Sequence, residues 1–128
     1  MRIKLAAVFV DDQDKARRIY TEALGFQVKT DVDLGEGGRW LTVVSPEDPD
    51  GTELLLEPPD DAAASFQEHL RTAGKPATSF TTDDCRRTYE ELSASGVRFV
   101  TEPTKMPYGG TDAVFEDGCG NLINVHQD

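Results

Sequence analysis

The closing stretch of the chain, FEDGCGNLINVHQD at 115 to 128, combines several side chains that could do chemistry. An acidic residue followed by Gly-x-Gly-Asn predicts a tight turn, because Gly and Asn accept positive φ at low cost. The strand predicted after it alternates, with polar Asn124 and His126 on one face and apolar Ile123 and Val125 on the other. Two polar side chains on one face are compatible with a metal site, the wall of a binding cleft or a solvent-facing surface.

The other reactive side chains indicate weaker sites. Cys85 and Cys119 match no zinc-binding spacing, and with no secretion signal they are expected to be reduced thiols. Cys119 could act as a nucleophile only with His126 as its base. Cys85 falls where a helix should begin and is expected to be buried, and His69 is expected on a solvated helix face. Since His126 lies near the end of the chain, solvent exposure is expected for it.

Composition limits the possible partners. The 128 residues fit one domain, and neither a signal sequence nor an apolar run of roughly 20 residues is present, so we expect a cytoplasmic protein. Thirteen basic against 24 acidic residues give a formal charge of −11. That charge disfavours binding to nucleic acid or an anionic membrane surface, and it is compatible with cationic or neutral small ligands.

The two halves of the chain show the same order of predicted elements, strand–helix–strand–strand–strand. In the first half, strands are predicted at 2–10, from 26, at 39–44 and at 52–58, with a turn at 33–38. In the second half, they are predicted at 76–82, 97–103, 110–117 and 121–127. A short helix is expected in the linker between the halves.

Each half also places an Asp and a Gly thirteen positions apart, Asp12 with Gly25 and Asp83 with Gly96. Asp11 or Asp12 can cap the first helix, Asp83 or Asp84 the second, and the glycines end them. The repeat predicts an α+β fold of two βαβββ modules that form a curved mixed sheet around a groove. The expected organisation is one domain, with module one at 1–58, a linker helix at 59–75 and module two at 76–128.

The stretches VFVDDQDKARRIYTEALGFQV and VFEDGCGNLINV resemble the vicinal-oxygen-chelate superfamily, which includes glyoxalase, bleomycin-resistance and extradiol dioxygenase proteins. The resemblance covers nearly the whole chain. It implies four possible metal-ligand positions, two on the first strands and two on the last strands of the halves. In this sequence they fall on Leu5, Ala77, Glu57 and Asn124, so only Glu57 retains an expected ligand.

A one- or two-residue error in register does not restore the metal site, because 1–10 and 75–82 contain no His, Asp, Glu, Gln or Cys. We therefore expect no metal and no cofactor. The remaining group for an atypical divalent ion is Glu57, Asn124 and His126, in which Asn is a poor ligand for transition metals.

If Glu57 faces the groove, strand alternation predicts which side chains line it. The ligand-binding residues expected from this pattern are Leu5, Ala7, Trp40, Leu55, Glu57, Ala77, Ser79, Tyr108, Asn124 and His126. Glu53, Leu122, Phe9 and Thr81 share the same parity, and Phe115 could add a flat surface. Tyr108 lies in MPYGG, either a loop that closes over a ligand or a plain hairpin connection.

Glu57 is the best candidate for an acid/base group or a counter-charge for a cationic ligand. The alternatives are an ion pair with Arg39 or a solvated carboxylate. Two functions follow. One is a metal-free homodimeric protein of the bleomycin-resistance type that binds a small molecule in an apolar groove. The other is a glyoxalase-like lyase, isomerase or dioxygenase, either metal-free or with a divalent ion at an atypical site.

Overall fold

A computed structural model describes all residues from 1 to 128. The chain divides into two compact units, Met1–Ala64 and Ser65–Asp128. Each unit contains one strand–helix–strand–strand–strand module with a four-stranded mixed sheet, so the expected α+β class and the two βαβββ modules are confirmed. None of the helices combines the length and the apolar character that crossing a bilayer requires.

The first unit contains strands β1 (Leu5–Phe9), β2 (Gln27–Gly35), β3 (Gly38–Val44) and β4 (Glu53–Glu57) in the sheet order β1-β4-β3-β2. β1 runs parallel to β4, and the other pairs are antiparallel. Its helix α1 (Gln13–Arg18) continues directly into a π-helical turn, Ile19–Ala23.

The second unit contains β5 (Thr78–Thr81), β6 (Arg98–Lys105), β7 (Thr111–Glu116) and β8 (Leu122–Gln127) in the order β5-β8-β7-β6. β5 runs parallel to β8, and β7 pairs antiparallel with β6 and β8. Helix α3 (Cys85–Ala94) follows β5. Helix α2 (Asp61–Thr72) contains the boundary between the units.

The core of each unit follows the alternation of its strands. Val8 and Val10 are buried with Ala16 and Tyr20 of the helical segment, while Phe9 between them is only partly buried and Ala7 is exposed. In the second unit the buried set includes Ile123, Val125, Phe115, Ala113 and Cys85. One face of each sheet therefore meets a helix, which leaves the opposite face to carry the polar side chains.

The helix boundaries confirm the predicted caps and refine the repeat. The side chains of Asp12 and Asp84 accept hydrogen bonds from backbone N–H groups three residues on, and Gly25 and Gly96 have positive φ at the ends. Since Asp84 rather than Asp83 is the cap, the cap-to-glycine spacing is twelve residues in the second unit and thirteen in the first. The wider π-helical turn accommodates the extra residue in the first unit.

Two predicted strand ends were wrong. β2 continues through Leu34 to Gly35, with Glu36 and Gly37 forming the turn at positive φ, because a bulge keeps Gly35 paired with Gly38. β6 does not end at Pro103 but reaches Lys105. Pro103 has no backbone N–H to donate to a neighbouring strand. It is tolerated here because β6 lies at the edge of its sheet and its pairing with β7 is irregular between Thr101 and Thr104.

The closing turn is held by buried polar side chains. Asp117 Oδ1 accepts hydrogen bonds from the backbone N–H groups of Cys119 and Asn121, and Asp117 Oδ2 accepts from the Asn121 amide at 2.8 Å. Gln67 on α2 donates to Asn121 Oδ1 at 3.0 Å and to the Cys119 carbonyl at 3.2 Å. The Asp-x-x-Gly-Asn motif therefore has a structural role, fixing the start of β8.

Candidate functional site

The exposed face of the second sheet contains an open depression of about 530 Å³. We call it the Asp112 depression, and its lining residues are Ser79, Tyr108, Gly109, Gly110, Asp112, Asn124, His126 and Asp128. Four of these, Ser79, Tyr108, Asn124 and His126, are among the residues expected from the sequence to bind a ligand. Strand register explains their proximity, because Ser79 pairs with Asn124 across β5 and β8.

Asp112 is the centre of the polar network in this depression. It pairs with His126 across β7 and β8 and is only 9% exposed. Its Oδ1 lies 2.5 Å from His126 Nδ1, and its Oδ2 accepts a hydrogen bond from the Tyr108 hydroxyl. The Tyr108 ring lies 6.5 Å from the His126 ring, centroid to centroid. His126 is thus half-buried and hydrogen-bonded, which corrects the expectation of a solvated position near the end of the chain.

Glycine is required beside this network. Gly110 has a φ of 78°, and a Cβ there would lie 2.6 Å from Cε1 of His126 and 2.5 Å from the Gln127 carbonyl oxygen. Any larger residue would displace the imidazole or the backbone of β8. The glycines of MPYGG therefore allow the loop to pass close to His126 and bring Tyr108 to Asp112.

The charges in the depression stabilise each other. The hydrogen bond to Asp112 raises the pKa of His126 against partial desolvation, and Asp128 adds to the rise. Burial by itself would raise the pKa of Asp112, but hydrogen bonds from Tyr108, His126 and Asn124 outweigh burial and lower it. The same carboxylate raises the pKa of the Tyr108 phenol. Protonation of the His126 imidazole and ionisation of the Asp112 carboxyl therefore favour each other.

The depression does not present a converging set of metal ligands. His126 Nδ1 faces Asp112, and its Nε2 lies 3.1 Å from Asp128 on the opposite side of the ring. The two carboxylates therefore approach different nitrogens and cannot share one ion with this histidine. No group of three or more His, Cys, Asp or Glu side chains in the chain is arranged to hold a metal ion.

In the first unit, Glu57 is half-buried at the end of β4. Thr42 pairs with Leu55, so alternation places Trp40 and Glu57 on the same sheet face. The Glu57 carboxylate makes no hydrogen bond or ion pair within the chain. Arg39, proposed as its partner, instead binds Asp31 at 2.8 Å and Asp14 at 2.6 Å. The ion-pair alternative for Glu57 was therefore wrong.

Comparison of the two modules corrects the pairing of their candidate positions. The backbone N–H of Val10 donates to the Glu57 carbonyl at 2.8 Å, and that of Thr82 donates to the His126 carbonyl at 2.9 Å. The structural counterpart of Glu57 is thus His126. By the same register Asn124 corresponds to Leu55, so the expected equivalence of Glu57 and Asn124 was wrong by two residues.

The remaining expected residues do not line the Asp112 depression. Leu5 and Ala7 are exposed on β1, opposite Glu53 and Leu55, and Ala77 is exposed just before β5. Phe115 is buried on the other sheet face, 5.5 Å from Phe99 between ring centroids, so it offers no surface to a ligand.

The cysteines also take no part in the depression. Cys85 and Cys119 are both buried, and neither forms a disulfide. Burial raises the pKa of the Cys85 thiol, which disfavours a reactive thiolate.

Sequence reasoning missed Asp112. The signal was present in GTDAVFED, where Asp112 alternates with the core residues Ala113 and Phe115 in the way that His126 alternates with Val125. Recognising it required the antiparallel register between the last two strands, which places Asp112 opposite His126.

The paired βαβββ modules, each with a helix on one sheet face and polar side chains on the other, define a glyoxalase-type fold. Residues 2–125 match the family model described as the Glyoxalase/Bleomycin resistance protein/Dioxygenase superfamily, and the chain belongs to that superfamily.

Three proteins are similar to this chain over nearly its whole length. The uncharacterized protein YurT of Bacillus subtilis (strain 168) is 51% identical over 128 residues, which cover 99% of each chain. The crystal structure of UcmS2 has a TM-score of 0.85 and 35% identity, covering 100% of this chain and 98% of that one. TnmS3, an antibiotic binding protein from Streptomyces sp. CB03234, has a TM-score of 0.78 and 29% identity, and the match covers 99% of this chain and 95% of TnmS3.

Proposed function

We propose that the protein binds a small molecule at the Asp112 depression without the help of a metal, as a member of the bleomycin-resistance branch of its superfamily. The carrying observation is the network of Tyr108, Asp112 and His126, which lies in an open depression of about 530 Å³. A concave surface with a few convergent polar groups is the usual form of a small-molecule site. The antibiotic-binding relative TnmS3 supports the same class of ligand.

The proposal includes a homodimer located in the cytoplasm, with Glu57 and Trp40 of the first unit as further ligand-binding residues. Glu57 has no partner within the chain, and Trp40 is 37% exposed on the same sheet face. A carboxylate and an indole on one face suit a ligand with a cationic group, since each attracts positive charge.

The lack of a metal in this proposal rests on the donor chemistry. Leu5 and Ala77 fall on two of the positions at which the family resemblance implies metal ligands, and neither side chain offers a donor atom. Elemental analysis of protein purified without chelator should give far less than one ion per chain. A full equivalent of zinc, nickel, manganese or iron would sink this part of the proposal.

Binding is tested by isothermal calorimetry with bleomycin and a set of structurally unrelated antibiotics. At least one compound should bind, and Asn124→Ala should weaken its binding. The matched control is Gln27→Ala, which removes an exposed amide of β2 that lies outside the depression. Equal effects of the two substitutions would show that the depression is not where the compound binds.

A second candidate function is a metal-free acid–base enzyme of the glyoxalase type. The specific observation in its favour is the distance of 2.5 Å between His126 and Asp112, since a carboxylate that holds an imidazole is a recurring arrangement for proton transfer. Consumption of a compound that binds, lost in His126→Gln, would favour the enzyme over the binding protein.

A further inference from the structure

The two carboxylates that face the ring of His126 determine which of its ring nitrogens carry a proton. Its Nδ1 faces Asp112, whose carboxylate also accepts a hydrogen bond from the Tyr108 hydroxyl. Its Nε2 faces the carboxylate of Asp128 at 3.1 Å. A carboxylate on each side requires a proton on each ring nitrogen, so both nitrogens are donors.

The two donors differ in how easily their partners can be replaced. Asp112 is buried and held by Tyr108 as well as by His126, so it is a fixed part of the site. The Asp128 side chain is 100% exposed, and an exposed ion pair of this kind contributes little to stability because water and salt screen it. A ligand oxygen can therefore take the place of Asp128 at Nε2 at small cost.

The neighbouring polar groups favour the same ligand chemistry. The Ser79 hydroxyl oxygen accepts a hydrogen bond from the Asn124 amide at 3.0 Å, which leaves its own proton available to donate. Ser79 and Nε2 of His126 are thus two donors on the lining of one depression. The charged groups around His126 are Asp112 from β7 and Asp128 after β8. Tyr108 adds a phenol, and the only side chain that β5 contributes to the depression is the uncharged Ser79.

We infer that the Asp112 depression selects ligands that present a neutral hydrogen-bond acceptor, such as a carbonyl oxygen, to Nε2 of His126 in exchange for Asp128. A neutral oxygen fits better than an anion because the buried Asp112 carboxylate, which the ligand does not displace, already balances the charge of the imidazolium in a chain with a net charge of −11. This inference rests on the proposed binding function and adds the chemical class of the group that is recognised.

The test compares three probes that share a phenyl ring and differ in their polar group: acetophenone, benzoate and benzylammonium. Each is titrated into ¹⁵N-labelled protein while the Nε2 resonance of His126 is followed. Acetophenone should shift this resonance and bind most tightly, benzoate should bind more weakly, and benzylammonium should leave the resonance unchanged.

Two variants separate recognition from folding. His126→Phe should weaken the binding of acetophenone about tenfold, the effect expected for the loss of one hydrogen bond to a charged donor. The same change at exposed His69 should leave the binding of acetophenone unchanged. Asp128→Ala changes a fully exposed side chain and should keep the fold. It should tighten the binding of acetophenone several-fold, because the Asp128 carboxylate no longer competes for Nε2 of His126.

The outcomes distinguish this inference from the function on which it rests. If benzylammonium binds in the depression as tightly as acetophenone, or if Asp128→Ala fails to tighten acetophenone, the selection for acceptors is wrong while binding at the depression stands. If none of the probes shifts a resonance of the depression at millimolar concentration, the inference and the binding site both fall.

Discussion

At the scale of single residues, two carboxylates act on the His126 imidazole, Asp112 at Nδ1 and Asp128 at Nε2. The hydrogen bond to Asp112 is the main cause of its raised pKa, and Asp128 is a smaller one. In the unfolded chain the imidazole has a pKa of about 6.5. The stabilisation from this pair is therefore fully present below that value and is lost as pH rises through the higher pKa of the folded state.

The residue-scale prediction for His126 is that Asp112→Asn lowers its pKa toward the ordinary value, because the main stabilising charge is removed. Titration of the imidazole resonances by NMR measures the shift. Asp128→Asn is the matched control and should lower the pKa less, since Asp128 contributes less to the rise. An equal or larger effect at Asp128 would contradict the central role of Asp112.

Glu57 provides a second prediction at this scale. Glu57→Gln should leave the free energy of unfolding within about 0.5 kcal/mol of the wild-type value or raise it, because the half-buried carboxylate has no partner to lose. It should also weaken the binding of any cationic antibiotic from the calorimetric screen that contacts this face of the first sheet. Melting curves with and without that compound measure both effects.

The control for Glu57 is the same substitution four residues earlier, at Glu53. Glu53 accepts a hydrogen bond from the buried Thr42 hydroxyl at 2.8 Å, and Gln at 53 keeps an acceptor oxygen for it. Glu53→Gln should therefore change neither stability nor binding. A Glu57→Gln protein that melts well below the wild type would show that the carboxylate stabilises the fold instead.

At the scale of elements, an ion-pair cluster connects α1 to the sheet of the first unit. Asp31 on β2 accepts two hydrogen bonds from Arg39 on β3, at 2.8 and 2.9 Å, and a further one from Arg17 on α1. Asp14 adds a contact to Arg39 at 2.6 Å. The hydrogen bonds from Arg39 are the main cause of lowering the pKa of Asp31 to about 2.

Asp31→Asn should therefore destabilise the first unit by about 2 kcal/mol at neutral pH, the value implied by the shift of Asp31 from its ordinary pKa. Because that pKa is depressed, the stabilisation is present above about pH 4 and is lost as pH falls toward 2. Urea denaturation at several pH values measures this. Asp14→Asn, at a largely exposed side chain, should cost much less, and equal costs would contradict the central position of Asp31.

At the scale of the whole molecule, we predict a homodimer. The first unit exposes several large apolar side chains, Leu5, Val32, Leu34 and Trp40, and burying such surface favours association. Two chains of charge −11 repel each other, so the dimer should tighten as salt rises. Analytical ultracentrifugation at micromolar concentration and two salt levels is the measurement. A strict monomer at both would contradict the prediction.

The sequence by itself determined the features that depend on local backbone geometry. Alternation along the last strand separates His126 from buried Val125, and the aspartates before both module helices act as caps, as expected. The glycines that end these helices have positive φ. Such features follow from the period of a strand or from the φ that one residue accepts, so neighbouring residues suffice to predict them.

Only the tertiary structure decided which distant side chains meet. Asp112 lies fourteen residues before His126 and reaches it through the register of β7 and β8, which no local pattern specifies. The register of β1 with β4 and of β5 with β8 makes His126, rather than Asn124, the counterpart of Glu57. A shift of one residue would move each side chain to the opposite face, so small differences in pairing decide the composition of the site.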